Sequence, residues 1–260
     1  MFKPTFLFFS VALSVMGLAS CQQSASVQVP EVLNTFEHDP EAFTQGLLLF
    51  DGKLYESTGI NGASSLREVN LETGEVERIL PLADKYFGEG LARVDDKLYQ
   101  ITWRSGEAFV YDLATFELEQ TFEYTTEGWG LCYDGEDLYM TDGTARLFRR
   151  DPATFEEERV VTVTLSKGGE SKEIINLNEL ECVGEHVYAN VWQTDIIVKI
   201  DKSTGNIVSE IDASALFPAG ERPSDPNAVL NGVAYNPERE TFYLTGKLWP
   251  KLFEVRFVEK

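Results

Sequence analysis

The chain has 260 residues and 43% of them are hydrophobic, so it can bury a substantial core in one large domain or two small ones. Its formal net charge of −21 argues against nucleic-acid binding, because contacts to phosphates need clustered Lys and Arg. An acidic surface mainly keeps a protein soluble, and it can also attract cationic substrates such as peptides with a free amino terminus. The 10 Tyr and 17 Phe favour β-strands.

The first residues are typical of an export signal. Lys3 precedes an apolar run at 6–18 that is too short to cross a bilayer as a helix. The run ends in Leu18-Ala19-Ser20-Cys21, which resembles the lipobox of bacterial lipoproteins. This resemblance implies cleavage before Cys21 and attachment of a lipid to its thiol. An ordinary signal peptide followed by a chance cysteine is the alternative.

We therefore predict three segments: a signal peptide at 1–20, a lipidated tether at 21–27 and a folded domain at 28–260. The lipid on Cys21 would anchor the protein to a membrane of the bacterial cell envelope. Gln22, which follows the cysteine, favours the outer membrane by the same resemblance. The folded domain would then lie in the periplasm or at the cell surface.

A short sequence motif occurs five times along the folded domain. Its clearest copies are Gln45-Gly46-Leu47, Glu89-Gly90-Leu91 and Trp129-Gly130-Leu131, each with a Leu-Tyr pair whose Tyr lies nine residues after the Gly. Asn178-Glu179-Leu180 keeps this spacing without the Gly, and Asn231-Gly232-Val233 needs two extra residues. Each copy opens a unit of short strands, and repetition at a period of about 40 to 52 residues predicts a β-propeller.

The predicted strands of the five units follow the copies of this motif and are joined mostly by short turns. In chain order they are 46–50, 53–58, 65–70 and 75–80; 98–103, 108–111 and 117–122; 138–141, 146–149 and 158–163; 187–192, 196–200 and 206–211; 242–245 and 252–257. The last unit has no room for a fourth strand, whereas 26–36 is a strand before the first complete unit. We predict an all-β, five-bladed propeller whose N-terminal strand closes the last blade.

Two kinds of connection stand out between the strands. Asn70, Asp112, Asp151 and Asp201 each precede a Thr by three residues, a spacing typical of turns in which the Asx side chain accepts backbone hydrogen bonds. The links at 166–176 and 212–230 are longer than the repeat requires. Long loops in a compact fold are often functional, and both occupy the same connection between units, so they should share one face near the site.

Cysteine and histidine usage excludes several kinds of site. Cys132 and Cys182 lie in apolar strand contexts, where buried free thiols are the favoured interpretation and a disulfide between neighbouring strands is the alternative. No Cys or His spacing suits zinc. His38 and His186, the chain's two histidines, are far apart, which argues against a His-based metal site and a Ser-His-Asp triad.

The equivalent positions of the repeat indicate a site at the centre of the ring. If the units superpose, the first residues of the five copies form one ring: Gln45, Glu89, Trp129, Asn178 and Asn231. A second set of equivalent positions holds Gly59, Trp103, Gly143, Trp192 and Lys247. Packing alone explains a single Trp, but it does not ask for so many different polar and aromatic residues at matched positions. We predict an asymmetric small-molecule pocket.

Six segments in order now carry a family resemblance over about Phe36 to Phe257. They are Phe43-Thr44-Gln45-Gly46-Leu47, Phe87-Gly88-Glu89-Gly90-Leu91, Glu127-Gly128-Trp129-Gly130-Leu131, Leu177-Asn178-Glu179-Leu180-Glu181, Ala189-Asn190-Val191-Trp192 and Thr245-Gly246-Lys247-Leu248-Trp249-Pro250-Lys251. These segments resemble the signature segments of the plant-type glutaminyl-peptide cyclotransferases of plants and bacteria. The resemblance implies a five-bladed propeller that converts N-terminal Gln of peptides to pyroglutamate, releases ammonia and uses no catalytic metal. We expect a monomer with peptide or protein substrates.

The resemblance also implies functional residues. They are Phe43, Gln45, Phe87, Glu89, Trp103, Trp129, Asn178, Trp192 and Lys247, to which the repeat adds Asn231. Glu89 is expected to move the proton from the attacking amine to the leaving nitrogen. Lys247, Asn178 and Gln45 could stabilise the oxyanion. The aromatic residues would fold the glutaminyl side chain towards the ring and exclude water.

Two other classes of function remain open from the sequence. A calcium-dependent propeller lactonase or esterase could use the oxygen ligands of Glu89, Asn178, Asn231 and Gln45. A structural calcium in the central channel is a further possibility. The second class is a non-catalytic propeller that binds peptides at the cell envelope.

Overall fold

The structure, a computed structural model, describes residues 25–260, and the predicted signal peptide and the lipidation site at Cys21 lie outside this range. The described residues form β-strands, turns and one short 3-10 helix, so the prediction of an all-β chain is confirmed. None of the helical structure within 25–260 is long and apolar enough to cross a membrane.

The first three repeated units each form a four-stranded antiparallel sheet with the strands in chain order. Sheet 1 contains β2 (Thr44–Phe50), β3 (Lys53–Thr58), β4 (Ser65–Asn70) and β5 (Val76–Pro81). Sheet 2 contains β6 (Gly88–Val94), β7 (Lys97–Thr102), β8 (Glu107–Asp112) and β9 (Leu118–Glu123). Sheet 3 contains β10 (Leu131–Tyr133), β11 (Leu138–Thr141), β12 (Arg146–Arg150) and β13 (Glu157–Thr162). These bounds agree closely with the predicted strands because the repeat sets their spacing.

The remaining strands form a small hairpin and one larger sheet. The hairpin consists of β14 (Thr164–Lys167) and β15 (Glu170–Glu173). Next come β16 (Leu177–Val183), β17 (His186–Val191), β18 (Ile196–Asp201) and β19 (Ile207–Asp212). The 3-10 helix (Ala219–Glu221) precedes β20 (Leu230–Asn236), β21 (Thr241–Gly246) and β22 (Lys251–Glu259). Both long links therefore join an outer strand to the first strand of the next unit, as predicted.

The N-terminal strand joins the last two units. Strand β1 (Ser26–Glu37) pairs antiparallel with β22, as predicted, and its first residues also pair in parallel with β19. The result is an eight-stranded sheet in the order β16-β17-β18-β19-β1-β22-β21-β20. Because β1 begins at Ser26, the end of the predicted tether already belongs to this sheet. The chain after β1 is held by buried His38, whose Nδ1 lies 2.8 Å from the Trp249 carbonyl and whose Nε2 lies 3.1 Å from Glu56.

The first strands of the five units contact one another in a closed order: β2 with β6, β6 with β10, β10 with β16, β16 with β20 and β20 with β2. We call them the inner strands. The buried carboxyl of Glu179 links three of them, since it accepts hydrogen bonds from Leu47 N at 3.2 Å and Val233 N at 2.7 Å. Apolar side chains fill the space between neighbouring sheets; Leu48 and Leu66 of sheet 1, for example, share a cluster with Leu91.

The structure corrects one expectation and confirms another. Cys132 and Cys182 form a disulfide, with their Cα atoms 5.5 Å apart, so the favoured interpretation of two free thiols was wrong. The pairing became possible because the inner strands β10 and β16 are neighbours. The predicted Asx turns are present: for example, Asp201 Oδ1 accepts the backbone N–H groups of Ser203 at 3.0 Å and Thr204 at 2.9 Å.

Candidate active site

A pocket of about 200 Å³ lies at the end of the ring where the inner strands begin. Its walls are Phe43, Gln45, Phe87, Glu89, Trp103, Trp129, Asn178, Trp192, Asn227 and Lys247. The structure thus brings together nine of the ten predicted pocket residues, which come from all five units. Asn227 belongs to the long link at 212–230 and was not predicted, and none of the residues at 166–176 lines the pocket.

Backbone irregularities aim the polar residues into this pocket. The inner strands β2, β6, β16 and β20 each change register against their partner at the site position: between Thr44 and Gly46, Gly88 and Leu91, Leu177 and Leu180, and Leu230 and Val233. A β-bulge interrupts the alternation of a strand and redirects a side chain, which is why bulges are common next to active sites. Four of the five copies of the motif therefore coincide with an irregularity of this kind.

The Gly of the motif allows neighbouring inner strands to approach closely. A Cβ atom on Gly46 would lie 2.5 Å from Leu91 N, and one on Gly130 would lie 2.0 Å from Asn178 O. No side chain fits at these distances. The inner strands can therefore converge tightly enough to bring Gln45, Glu89 and Asn178 around one small cavity.

The second set of equivalent positions explains the asymmetry of the pocket. Trp103, Trp192 and Lys247 stand in its wall, whereas the two glycines leave space for aromatic rings. A Cβ atom on Gly59 would lie 2.3 Å from the ring of Phe87, and one on Gly143 would lie 2.6 Å from the ring of Trp129. The two glycines are therefore needed to seat two wall residues.

Burial shifts both ionisable groups of the wall towards their neutral forms. Glu89 is 5% exposed, and burial raises the pKa of its carboxyl well above the ordinary value, against the opposing effect of Lys247. Burial lowers the pKa of Lys247 to about 8, although the charge of Glu89 acts in the other direction. Burial thus favours the protonated form of the Glu89 carboxyl, and at neutral pH most Lys247 amines still carry a proton that they can lose easily.

Amide side chains share the pocket with the Glu89 carboxyl. Gln45 Nε2 donates a hydrogen bond of 3.2 Å to Glu89 Oε1. Asn178 is 2% exposed, and its Oδ1 has no hydrogen-bond partner among the described residues. A buried acceptor without a donor is costly, so a ligand N–H group placed there would be bound strongly.

Asn231, which was expected to contact the substrate, lies behind the wall and does not line the pocket. Its Nδ2 donates to Thr44 O at 2.9 Å and to Gln45 Oε1 at 3.3 Å. This second bond leaves the Gln45 amide nitrogen free to point at Glu89. Asn231 therefore supports Gln45 from outside the pocket lining.

Aromatic rings form most of the remaining wall. Phe87 contacts Phe43 edge to face with 6.1 Å between the ring centroids, and Trp129 meets Trp192 at 5.6 Å with an interplanar angle of 89°. Lys247 Nζ lies 4.9 Å from the centroid of the Phe43 ring. Such a wall excludes water and favours a cationic or amide group over its faces.

Glu127 fixes two of these rings, and the sequence analysis gave it no function beyond its place in a signature segment. Its Oε2 accepts hydrogen bonds from the indole N–H groups of Trp103 at 2.8 Å and Trp129 at 3.0 Å, while Oε1 accepts from Arg104 at 2.9 Å. Partial burial opposes ionisation of Glu127, but these hydrogen bonds outweigh it and hold its pKa below the ordinary value. The only signal in the sequence is an acidic residue two positions before Trp129.

These features define a class: an all-β protein whose pocket holds a buried carboxyl that can exchange protons, next to an amine and amide side chains, one of which has an unpaired oxygen. No three His, Cys, Asp or Glu side chains within residues 25–260 are grouped so that they could hold a metal ion. The site suits acid–base chemistry on a small polar group enclosed by aromatic rings.

Comparison with known proteins gives the family. The glutamine cyclotransferase family model matches residues 7–257. A glutaminyl-peptide cyclotransferase of Arabidopsis thaliana is 39% identical over 246 residues, which cover 92% of this chain and 74% of the plant protein. The crystal structure of Myxococcus xanthus glutaminyl cyclase superposes with a TM-score of 0.84 at 37% identity, covering 91% of this chain and all of the other. The chain belongs to the glutamine cyclotransferase family.

Structures outside the family share only the fold. The WD40 repeats of RRP9 superpose with a TM-score of 0.54 at 11% identity, covering 87% of this chain and 97% of the other. U3-55K gives a TM-score of 0.55 at 10% identity, covering 87% of this chain and 99% of the other. At this level of identity the likeness concerns the arrangement of the sheets and carries no functional inference.

Proposed function

We propose that this enzyme converts the N-terminal glutamine of peptides or proteins to pyroglutamate and releases ammonia. The observation that carries the proposal is the buried Glu89 carboxyl, with its raised pKa, enclosed with Lys247 and two amide side chains in an aromatic pocket. Family membership supports the same reaction, because the relatives of known name are glutaminyl cyclases.

The reaction needs one proton to move between two nitrogens. The neutral α-amine of the substrate attacks the carbonyl carbon of its own side-chain amide, and the C–N bond to the leaving nitrogen then breaks. Glu89 gives its proton to the leaving nitrogen and takes up the proton that the attacking amine releases. The ring and ammonia are the products, and the carboxyl of Glu89 is regenerated.

Attack creates an oxyanion that must be stabilised inside the pocket. Lys247, with its pKa of about 8, carries a positive charge at neutral pH and can supply this stabilisation. The amide nitrogen of Asn178 is a second donor, and its unpaired Oδ1 can accept an N–H of the substrate. Gln45 holds the Glu89 carboxyl in place and can also contact the substrate.

The aromatic residues position the substrate and keep water out of the pocket. Phe43, Phe87, Trp103, Trp129 and Trp192 enclose the flexible glutaminyl side chain, so the amine and the amide carbon are held close together. They also keep water from the carbonyl carbon. Exclusion of water matters because hydrolysis to glutamate is the competing reaction.

The five sheet units and the ring of five inner strands support a five-bladed β-propeller as the scaffold. In this description β1 completes the blade formed by β20, β21 and β22, and its parallel pairing with β19 connects that blade to the one before it. A propeller places equivalent residues of every blade at one end of its axis, which accounts for a site built from all five units.

The export signal, the resemblance of residues 18–21 to a lipobox and the Cys132–Cys182 disulfide support a lipid-anchored enzyme of the bacterial cell envelope. Disulfides persist in oxidising compartments, which the envelope provides. In this proposal the anchor at Cys21 is in the outer membrane and the enzyme acts as a monomer without a catalytic metal. Labelling of wild type, but not of Cys21→Ser, with a radioactive fatty acid in cells would test the anchor.

The activity is tested with Gln-Ala and Gln-Phe dipeptides, with ammonia and pyroglutamyl product measured in parallel. Equal amounts of the two products are expected, above the rate of spontaneous cyclisation. Ammonia accompanied by Glu-Ala instead of pyroglutamyl-Ala would contradict the proposal. Binding without any ammonia release would favour the peptide-binding class.

The same assay with EDTA tests the role of metal. Unchanged turnover is expected. Loss of turnover, restored by calcium, would favour the calcium-dependent lactonase class or a structural calcium in the channel.

A further inference from the structure

A second cavity, of about 500 Å³, lies beside the active pocket and shares Phe43 and Asn227 with it. We call it the outer groove; Glu41, Gly59, Ile60, Arg67, Asp225 and Leu248 line it as well. The active pocket is much smaller, whereas a peptide substrate extends beyond its first residue by about 3.5 Å per residue. The two shared residues place the outer groove next to the pocket, where the residues that follow the first one of a bound peptide would lie.

The boundary between the groove and the active pocket differs from the rest of the pocket wall, because one equivalent position of the repeat lacks a side chain. Gly59 is equivalent to Trp103 and Trp192 in the repeat, and at its position the edge of Phe87 takes the place of a large side chain. Indole rings therefore close the pocket at the positions of Trp103 and Trp192. Towards Gly59 its boundary is formed by Phe43 and Phe87 alone.

Two apolar residues of the groove are held in a backbone conformation that bulky residues rarely adopt. Ile60 has φ +83° and Leu248 has φ +61°. The carbonyl of Ile60 accepts hydrogen bonds from Ala63 N and Ser64 Oγ, both at 2.9 Å, so its conformation is fixed. The Ile60 side chain is nevertheless 43% exposed. Strain maintained around an exposed apolar side chain is typical of a binding surface.

The charge of the groove is negative. Glu41 and Asp225 are exposed, and neither has an ion-pair partner within residues 25–260. The positive charge of Arg67 is offset by Asp39 at 2.7 Å and by Glu56 at 3.9 Å. Asp225 Oδ1 also accepts the backbone N–H of Asn227 at 2.7 Å, which ties this carboxylate to the wall of the active pocket.

We propose that the outer groove binds the residues that follow the N-terminal glutamine and favours Lys or Arg among them. The aliphatic stem of such a side chain would lie on Ile60 and Leu248, and its charged end would meet Glu41 and Asp225. Long basic side chains combine these two properties in one residue. The proposal rests on the proposed cyclotransferase function and specifies its substrate class.

The test compares three peptides: Gln-Lys-Lys-amide, Gln-Glu-Glu-amide and Gln-Ala-Ala-amide. For the wild-type protein we expect kcat/KM for the Lys peptide to exceed that for the Glu peptide by about fivefold at low salt, since two exposed carboxylates each contribute modestly. The ratio should shrink in 0.5 M NaCl. In the double variant Glu41→Gln/Asp225→Asn it should fall to near 1. Both substitutions keep the shape, and the amide oxygen introduced by Asp225→Asn can still accept the backbone N–H of Asn227.

Glu72→Gln is the matched control. Glu72 is an exposed acid in the turn after β4, at the opposite end of that strand from the groove, so its removal should leave the ratio unchanged. A ratio that persists in the double variant would overturn the proposal and assign the preference to the overall acidity. A wild-type ratio near 1 with rapid cyclisation of Gln-Ala-Ala-amide would overturn the proposed preference of the groove and leave the cyclotransferase function standing. No cyclisation of any peptide would overturn the cyclotransferase function as well.

Discussion

Gln45 donates its side-chain N–H to the carboxyl of Glu89 over 3.2 Å, and both side chains are buried. The bond occupies one carboxyl oxygen and leaves the other to carry the proton towards the pocket. Asn231 Nδ2 donates a hydrogen bond to Gln45 Oε1 and so holds the other end of the same amide. The three residues come from the inner strands of three different units, so the orientation of Glu89 depends on the closed ring.

Replacing Glu89 by Gln should separate chemistry from folding. Gln has nearly the same shape and matches the neutral carboxyl that burial favours, so the free energy of unfolding at pH 7 should not fall. The amide cannot exchange protons, and kcat should drop by about 100-fold or more. Single-turnover assays and chemical denaturation measure the two effects. Near-normal kcat in Glu89→Gln would show that another group moves the proton.

The pH dependence of kcat/KM should report the loss of charge at Lys247. The substrate α-amine reacts only when neutral, so kcat/KM should rise with pH through the ordinary pKa of an amino terminus, about 7.7 to 8.0. Lys247 has a pKa of about 8 and loses its charge above that pH, so the rate should then fall. In Lys247→Arg, whose guanidinium stays charged, the falling limb should disappear even if the maximum rate is lower. A falling limb that stays near pH 8 in this variant would assign it to another group.

Glu127 should act on geometry, since its carboxylate accepts hydrogen bonds from two indoles at once. In Glu127→Ala both bonds are lost, because no acceptor remains for either indole, and kcat/KM should fall by about tenfold. Tryptophan fluorescence should change at the same time. Glu123→Ala, at an exposed acid on β9, is the control and should alter neither quantity. Reduced turnover with unchanged fluorescence would argue against an orienting role.

The repeat made most of the pocket predictable, because equivalent positions of the inner strands meet at one end of the ring. Gln45, Glu89 and Asn178 could be assigned to the site for this reason, without knowledge of their contacts. Asn231 shows the limit of the argument. It has the equivalent sequence position, but its side chain turns to the Thr44 carbonyl, and register alone does not specify this direction.

Residues outside the repeat could not be predicted in the same way. Asn227 enters the pocket from an irregular link, and Glu127 acts on two Trp residues that belong to neighbouring units. The pairing of Cys132 with Cys182 depends on contact between two inner strands of different sheets. Each of these features follows from the approach of separate units, which the sequence of one unit does not contain.

The disulfide should contribute strongly to stability. It joins residues 50 apart in sequence, and closing a loop of this length restricts the unfolded chain by about 4 kcal/mol in the entropic description, within a usual range of about 2 to 5 kcal/mol. Cys132→Ser/Cys182→Ser should therefore have a lower free energy of unfolding in urea than the oxidised wild type. Reduction should bring the wild type close to the variant. Two free thiols titrated in the denatured, unreduced protein would contradict the pairing.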